Sequence, residues 1–299
     1  LRRWFGRLVR LLLVLVGALL LLAVWSVLIE PRWVAQRRFD VSVSGWDGPP
    51  GLKVAVASDW HMGQDALRSV MTLDRARAIV ADINAAQPDV VLLPGDFIFG
   101  RGEDGTTPEQ VAEVLGQLRA THGVYAVLGN HDWWTNGPRF TQALRAAGVT
   151  VLQNDAVPLP GTSVWVVGIG DRMTGHSDPV QALRRVPAGA ETLTFMHDPA
   201  SARQLPRDSG LTVAAHTHGG QVWIPFHGSI VAPHGWPVKQ THGWVRVNRR
   251  TLYITSGLGV SIYPVRLNMR PEWVMFTIKA AVRPDETAGA PGGPTAARS

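Results

Sequence analysis

The chain of 299 residues contains no cysteine, which excludes disulfide scaffolds, thiolate zinc sites, iron–sulfur clusters and cysteine nucleophiles. Any metal must be held by His, Asp, Glu or Asn. Charge is also scarce: Asp, Glu, Lys and Arg make up 17% against 45% hydrophobic residues, so the chain can bury a core and global disorder is excluded. There is no Gly-Lys-Ser/Thr phosphate loop and no serine nucleophile elbow. The net charge of +6 invites a nucleic-acid reading, but seven of the 29 basic residues (Arg2, Arg3, Arg7, Arg10, Arg32, Arg37 and Arg38) precede residue 39. The others are spread among 23 carboxylates. No basic, aromatic-lined path emerges, so no nucleic-acid partner is expected.

The amino terminus accounts for much of that charge. Residues 11–29 carry no charged side chain, and only Gly17 and Ser26 interrupt the large apolar or alanine residues. As a helix this stretch would measure about 29 Å, close to a bilayer's hydrocarbon thickness. Trp4, Trp25 and Trp33 stand where an aromatic belt would lie. The run exceeds a signal-peptide core and lacks an A-x-A-like site, so residues 1–30 are expected to form an uncleaved transmembrane anchor. Four arginines precede it, while Arg32, Arg37 and Arg38 follow with Glu30 between them. That balance favours a cytoplasmic amino terminus and an extracytoplasmic domain.

Residues 31–51 read as a polar, Pro/Gly-containing connector, and residues 52–279 as the globular domain. There short apolar runs at 53–57, 89–93, 123–128, 163–167, 192–196 and 211–214 alternate with helix-spaced patterns at 66–86, 108–120 and 137–147. Thr106 or Thr107 is placed to cap a helix beginning at Pro108. Residues 244–247, 251–255 and 272–278 read as strands. The class is α/β with a strand-rich final third. Residues 280–299, rich in Pro, Gly, Ala and Thr, read as a disordered tail.

The chemistry follows the apolar runs. After them come Ser58-Asp59-Trp60-His61, Pro94-Gly95-Asp96, Gly129-Asn130-His131-Asp132, His197-Asp198 and His216-Thr217-His218-Gly219-Gly220. Five strands thus deliver Asp, His or Asn at their carboxyl ends, the edge where open α/β sheets bind ligands. These residue types suit divalent metals such as Mn, Fe or Zn. Gly63, Gly95, Gly129 and Gly219 permit tight turns or close backbone approach there. Each fragment alone is common; their ordered succession is specific.

Asp59-x-His61, Gly95-Asp96, Gly129-Asn130-His131-Asp132, His197 and His216-x-His218 together resemble the five blocks of the calcineurin-like metallophosphoesterases, over about residues 52–278. His-Thr-His-Gly-Gly-Gln at 216–221 and the stretch from Pro264-Val265-Arg266 to Arg270-Pro271-Glu272 are similar to the bacterial membrane-associated branch of YkuE- and YaeI-like phosphodiesterases. That branch also contains a UDP-2,3-diacylglucosamine pyrophosphatase of lipid A synthesis. The resemblance implies a two-sheet β-sandwich flanked by helices, placed here behind the amino-terminal helix at a bacterial inner membrane. It further implies two divalent ions bridged by Asp96, one completed by Asp59, His61 and His218, the other by Asn130, His197 and His216. His131 would be the catalytic imidazole, oriented by Asp132 or another carboxylate. A hydroxide held between the metals would cleave a phosphodiester or pyrophosphate, with a lipid-linked phosphoester as an expected substrate. A phosphomonoesterase, or a metal-binding interaction module without catalysis, is compatible with the same residues.

Some positions depart from the family pattern. Ala215 replaces the usual glycine before His-x-His, so the backbone there should not need a positive φ. Gly100 stands where the protein phosphatases carry arginine, and the third block ends in Asp132 rather than Glu, which weakens that reading. His122, His176, His227, His234 and His242 read as solvated. Asp171-Arg172 reads as a substrate-facing loop, Trp133 and Trp134 as walls of the cleft, and Arg266 and Arg270 as partners of carboxylates rather than of phosphate.

Overall fold

The computed structural model describes residues 2–206, 210–233, 235–248 and 250–281. His234, and the expected tail from residue 282 onward, lie outside the described residues. Helix α1 (Arg2–Val24) is continued by a π-helical turn, Trp25–Ile29, and a 3-10 turn, Glu30–Arg32. The whole stretch Arg2–Arg32 is apolar and long enough to cross a membrane, by length and composition, and almost none of it is buried. Its last carbonyls are not left open: Arg32 donates to Val27 O and Leu28 O.

The strands are β1 (Ala35–Val43), β2 (Leu52–Val56), β3 (Val90–Leu93), β4 (Val124–Ala126), β5 (Thr150–Val151), β6 (Asp155–Pro158), β7 (Trp165–Ile169), β8 (Thr192–Met196), β9 (Gly210–Ala214), β10 (Trp223–Ile224), β11 (Gly228–Ser229), β12 (Gly243–Val247), β13 (Arg250–Ile254) and β14 (Glu272–Ala280). They form two six-stranded sheets, ordered β1-β14-β2-β3-β4-β5 and β12-β13-β9-β8-β7-β6, and a small β10-β11 hairpin. Both large sheets are mixed. β2, β3, β4 and β5 run parallel in the first, as do β7, β8, β9 and β13 in the second.

The near-continuous apolar runs follow from burial on both faces. Val54, Val56, Val90 and Leu92 point into the core between the sheets with Leu193, Phe195, Leu211 and Val213. The alternate residues Ala55, Ala57, Val91 and Leu93 face α2 (Leu73–Ala85), α3 (Pro108–Leu115) and α4 (Asn130–Ala146). The second sheet packs its outer face on α5 (Pro179–Leu183) and the turn Pro199–Gln204. This is an α/β fold of the metallophosphoesterase type, two mixed sheets flanked by helices. Thr107 caps α3, its hydroxyl accepting from Gln110 N while the Gln110 side chain accepts from Thr107 N.

One expectation needs correction. Residues 35–43, read as connector, form β1, paired in parallel with β14 from Ala35–Glu272 to Val43–Ala280. Alternation is present at Phe39, Val41 and Val43, but Gln36, Arg37 and Arg38 on an edge strand dilute it, and the partner lies at the far end of the sequence.

Where β1, β13 and β14 meet, buried Glu272 accepts from Tyr253 Oη (2.9 Å), Ser256 N (3.3 Å) and Arg37 Nε (3.3 Å), and lies 3.0 Å from His242 Nε2. Burial alone would push its carboxyl up, but His242 and Tyr253 hold it below its ordinary value. Glu272→Ala should therefore cost about 1–3 kcal/mol, because it leaves the buried Tyr253 hydroxyl and Ser256 amide without their acceptor while the half-exposed Arg37 can turn to water. Urea denaturation monitored by tryptophan fluorescence checks this.

Candidate metal centre

The parallel strands of both sheets end at one edge of the sandwich, and the loops leaving them are bonded to one another. Asp59 N donates to Gly95 O (2.9 Å) and His61 N to Asp96 O (3.0 Å). His131 N donates to Asp96 Oδ1 (2.9 Å) and His216 N to Asp59 Oδ1 (3.1 Å). Five of the expected ligands hold left-handed backbone: Asp59 (φ 47°), His61 (φ 44°), Asp96 (φ 56°), His216 (φ 68°) and His218 (φ 51°). Such strain clusters at functional sites, because the surroundings must over-determine it. Ala215 is not among the positive-φ residues, so alanine is tolerated there. Gly95 (φ 88°) is needed twice over, since a Cβ would strike the backbone of Gly129.

Two sets of donor atoms converge. Asp59, His61, Asp96 and His218 place one ligand atom each within 4.8 Å of one another, and Asp96, His197 and His216 do likewise. Asp96 belongs to both. Its Oδ2 lies 3.5 Å from His61 Nε2 and 3.3 Å from His197 Nε2. Asn130 Oδ1 sits 3.1 Å from His197 Nε2, and His216 Nδ1 3.0 Å from the same nitrogen. His197 Nδ1 donates to Pro94 O (2.8 Å), which aims Nε2 inward.

These residues suit cations. His61 Nε2 and His218 Nε2 face each other at 3.0 Å in full burial, while the Nδ1 of each finds no partner among the described residues. With both neutral rings protonated at Nδ1, two Nε2 lone pairs face each other across that gap and neither has a donor; a cation would take both. Burial, with the charge of His131, lowers His61 to about 3. Burial, His61 and Arg266 hold His218 well below its ordinary value. Both are thus neutral at physiological pH, as ligands must be. Burial would raise Asp96, but His197 and His131 hold it well below the usual carboxylate range; burial would lower His197, but Asp96 holds it high, so a metal bound there must displace the His197 proton. Burial pushes Asp59 up to about 6. The two clusters, sharing Asp96, form a candidate dinuclear metal site.

His131 stands at its rim. Its ring packs edge-on against His61 (4.6 Å between centroids), and Nδ1 donates to Gly100 O at 2.7 Å. That bond sets the tautomer and leaves Nε2 unprotonated in the neutral ring. The expected carboxylate partner is thus replaced by a backbone carbonyl. Asp132 is occupied elsewhere: fully buried, it accepts from Asp96 N (2.9 Å), Gly129 N (2.9 Å) and Phe97 N (2.8 Å), tying the second block to the third. Burial and the charge of Asp96 raise the Asp132 carboxyl, while the amides of Gly129 and Phe97 favour its charged form.

Other expectations change. Asp171 is buried, and its Oδ2 accepts from Thr174 N and Thr174 Oγ1, so it pins its own loop instead of facing substrate; Arg172 pairs with Asp198. Arg266 and Arg270 bind backbone carbonyls instead of carboxylates: Arg266 those of Ser256, Gly257, Gly259 and Met269, Arg270 those of Trp33 and Val34. A guanidinium carries five donors, more than one carboxylate can satisfy. His176 is stacked on Trp133 at 3.5 Å, and His242 is bonded to Glu272, so neither is simply solvated. Trp134 lies 5.0 Å from the His131 ring and 5.6 Å from the Arg101 guanidinium, walling the rim. The contribution of Gly100 had no signal in the sequence, since every residue carries a carbonyl.

Fold and site together define a metal-dependent phosphoesterase. The calcineurin-like phosphoesterase family matches residues 52–229, well over half the chain, and the protein belongs to that family. Among its relatives, a Bacillus subtilis protein named uncharacterized metallophosphoesterase YkuE is 29% identical over 261 residues, covering 84% of this chain and 88% of the relative. Phosphodiesterase YaeI of Escherichia coli K12 is 29% identical over 256 residues, covering 83% and 90%. Among solved structures, a 5'-nucleotidase precursor from Thermus thermophilus superposes with a TM-score of 0.45 at 16% identity, covering 76% of this chain and 54%, about half, of that one.

Proposed function

We propose that the protein is a membrane-tethered two-metal phosphodiesterase or pyrophosphatase of the YkuE- and YaeI-like branch, acting on an amphiphilic, lipid-linked phosphoester. The observation that carries the reading is the His131 imidazole, held by Gly100 O with its second nitrogen free beside the Asp96 cluster. Asp59, His61, Asp96 and His218 would hold one ion, and Asp96, Asn130, His197 and His216 the other, with Mn, Fe or Zn suited to these ligands. Such a pair supplies a water acidic enough to attack at neutral pH and offsets the negative charge of the phosphate. With Nδ1–H held by Gly100 O, His131 would serve the departing oxygen as the imidazolium, giving up the proton on Nε2 and returning to the neutral ring. Asn130, an amide in place of a carboxylate, keeps the site from repelling an anion. Trp134 and Arg101 border the approach.

Two features support the lipid connection, the exposed apolar helix and the direct attachment of its end to the domain; the name phosphodiesterase carried by the E. coli relative supports the diester. A UDP-2,3-diacylglucosamine-like nucleotide suits a cytoplasmic domain; the arginine balance favours the opposite face and an envelope phospholipid.

The test uses the full chain in detergent, because β1 and the helix end are part of the fold. Stripped of metal and reloaded with Mn, Fe or Zn, it should hydrolyse bis(p-nitrophenyl) phosphate in preference to p-nitrophenyl phosphate. Preference for the monoester would replace this reading with a phosphomonoesterase, and two tightly bound ions without turnover would replace it with a metal-binding module. His131→Ala should lower kcat by about 10²–10⁴-fold, the usual range for a positioned acid or base, with metal content unchanged.

A further inference from the structure

Exposed apolar side chains on this domain gather around the foot of α1. Phe226 (98% exposed), Ile262 (76%), Leu67 (74%), Tyr263 (70%), Val231 (62%) and Ile230 (55%) are the members. Single exposed hydrophobics are ordinary; a group of them in one place marks an interaction surface. Their grouping rests on bonds. Arg266 N donates to Ser26 O (2.9 Å) and Met269 N to Glu30 Oε1 (2.7 Å), which attaches the segment after Tyr263 to the helix end. Arg32 Nη2 donates to Ala66 O, beside Leu67. The β10-β11 hairpin, which carries Phe226, is tied to the same segment through Trp223 N to Leu267 O (2.9 Å).

We infer that this collar seats the domain on a lipid surface, its apolar side chains entering the interface around the point where α1 leaves it. The inference rests on reading α1 as a membrane span, and the helix names the occupant. A 31-residue helical stretch, mostly exposed and uncharged over residues 11–29, is bonded at its foot to the same loops and brings them to the level where the span ends. Aromatic and basic groups at the foot suit the headgroup layer: Trp25 packs edge-on against Trp33, and the Arg270 guanidinium lies 3.8 Å over Trp33. A cavity of about 380 Å³ lined by Trp25, Glu30, Arg37, His242 and Arg270, among others, opens at that level and away from the metal ligands.

The collar is also continuous with the metal centre. Gln221 follows His218-Gly219-Gly220 and clasps the Ile262 loop: its Nε2 donates to Tyr263 O and Val265 O, and its Oε1 accepts from Ser261 N. At the start of that loop Gly259 N donates to Asp59 O (2.6 Å). Seating the collar therefore holds the dinuclear site at the headgroup surface, where the phosphate of an amphiphile can enter while its chains stay in lipid.

The absence of native cysteine makes the test direct. Full-length F226C, I262C and S42C are labelled with a nitroxide and reconstituted into phosphatidylethanolamine/phosphatidylglycerol vesicles. Ser42 is exposed on β1, seven residues beyond the start of the strand, roughly 23 Å from the foot. Side chains seated roughly 5–10 Å into the interface should be at least about fivefold less accessible to an aqueous nickel chelate than the label at 42, and more accessible to oxygen. Labels at 226 and 262 as open to nickel as the one at 42 would overturn the seating. Alkaline carbonate extraction tests the anchor separately. A chain retained in the vesicles with aqueous labels keeps the anchor and loses the collar; a chain that is stripped off loses the anchor, whatever the labels report.

Discussion

Asp96→Asn should reduce metal-dependent hydrolysis of bis(p-nitrophenyl) phosphate by about 10⁴-fold, or roughly 5.5 kcal/mol in the activation barrier. Among the described residues Asp96 alone belongs to both ligand clusters. Oδ2 faces His61 and His197, while Oδ1 accepts the His131 amide. An asparagine can keep the His131 bond through its carbonyl, so the loop is retained. Its NH₂ group then points a donor at the place where two cations need an anion. Metal analysis of the purified variant should fall from two ions per chain to one or none, with an unchanged circular dichroism spectrum. Near-normal turnover with two ions bound would show that the shared carboxylate is dispensable, and the dinuclear reading would fail.

Asp132→Ala has the largest expected effect on stability. The carboxylate accepts three buried backbone N–H groups, from Asp96, Phe97 and Gly129. Alanine leaves all three without a partner and opens a small cavity, at about 1–3 kcal/mol per orphaned group, of which relaxation and water recover a part. A net loss of about 4 kcal/mol lowers the melting temperature by about 10 °C in a domain of this size. Activity should fall about 10²-fold or more, because the freed amides position Asp96 and the start of α4, from which His131 projects. Asp132→Asn should fall between wild type and alanine, since one amide oxygen can still serve Asp96 and Gly129 while its NH₂ opposes the Phe97 amide. Differential scanning calorimetry beside the diester assay separates the two effects. A melting temperature within a degree or two of wild type would return Asp132 to a directly chemical role.

The candidate ligands were legible because the metal site is a local product of each strand. A run buried on both faces must be apolar throughout, so Asp96, Asn130 and His197 stand out as the first polar side chains after such runs, and Asp59 stands out as the first charged one. The helix Arg2–Val24 was legible for a related reason: an uninterrupted apolar run at helix length has few alternatives. β1 was not legible, because an edge strand with three exposed polar residues in succession carries little alternation, and what holds it is β14. Asp171, Arg266 and Asp132 meet groups that their sequence context does not signal. A charged side chain near a site looks chemical in sequence, yet here each serves backbone groups of the loops around it.

By itself, then, the sequence determined the residue types and their order: which side chains could bind metal, that cysteine chemistry was excluded, and that an apolar helix preceded the domain. Those properties follow from periodicity and composition, which are local. Only the tertiary structure decided which groups meet. It joined Asp96 to both clusters, gave the His131 imidazole a backbone carbonyl instead of a carboxylate, and bonded the foot of α1 to Arg266 and Met269. Such pairings depend on how two sheets lie against each other and on which backbone groups burial leaves in need of a partner, and neither is written in any single segment.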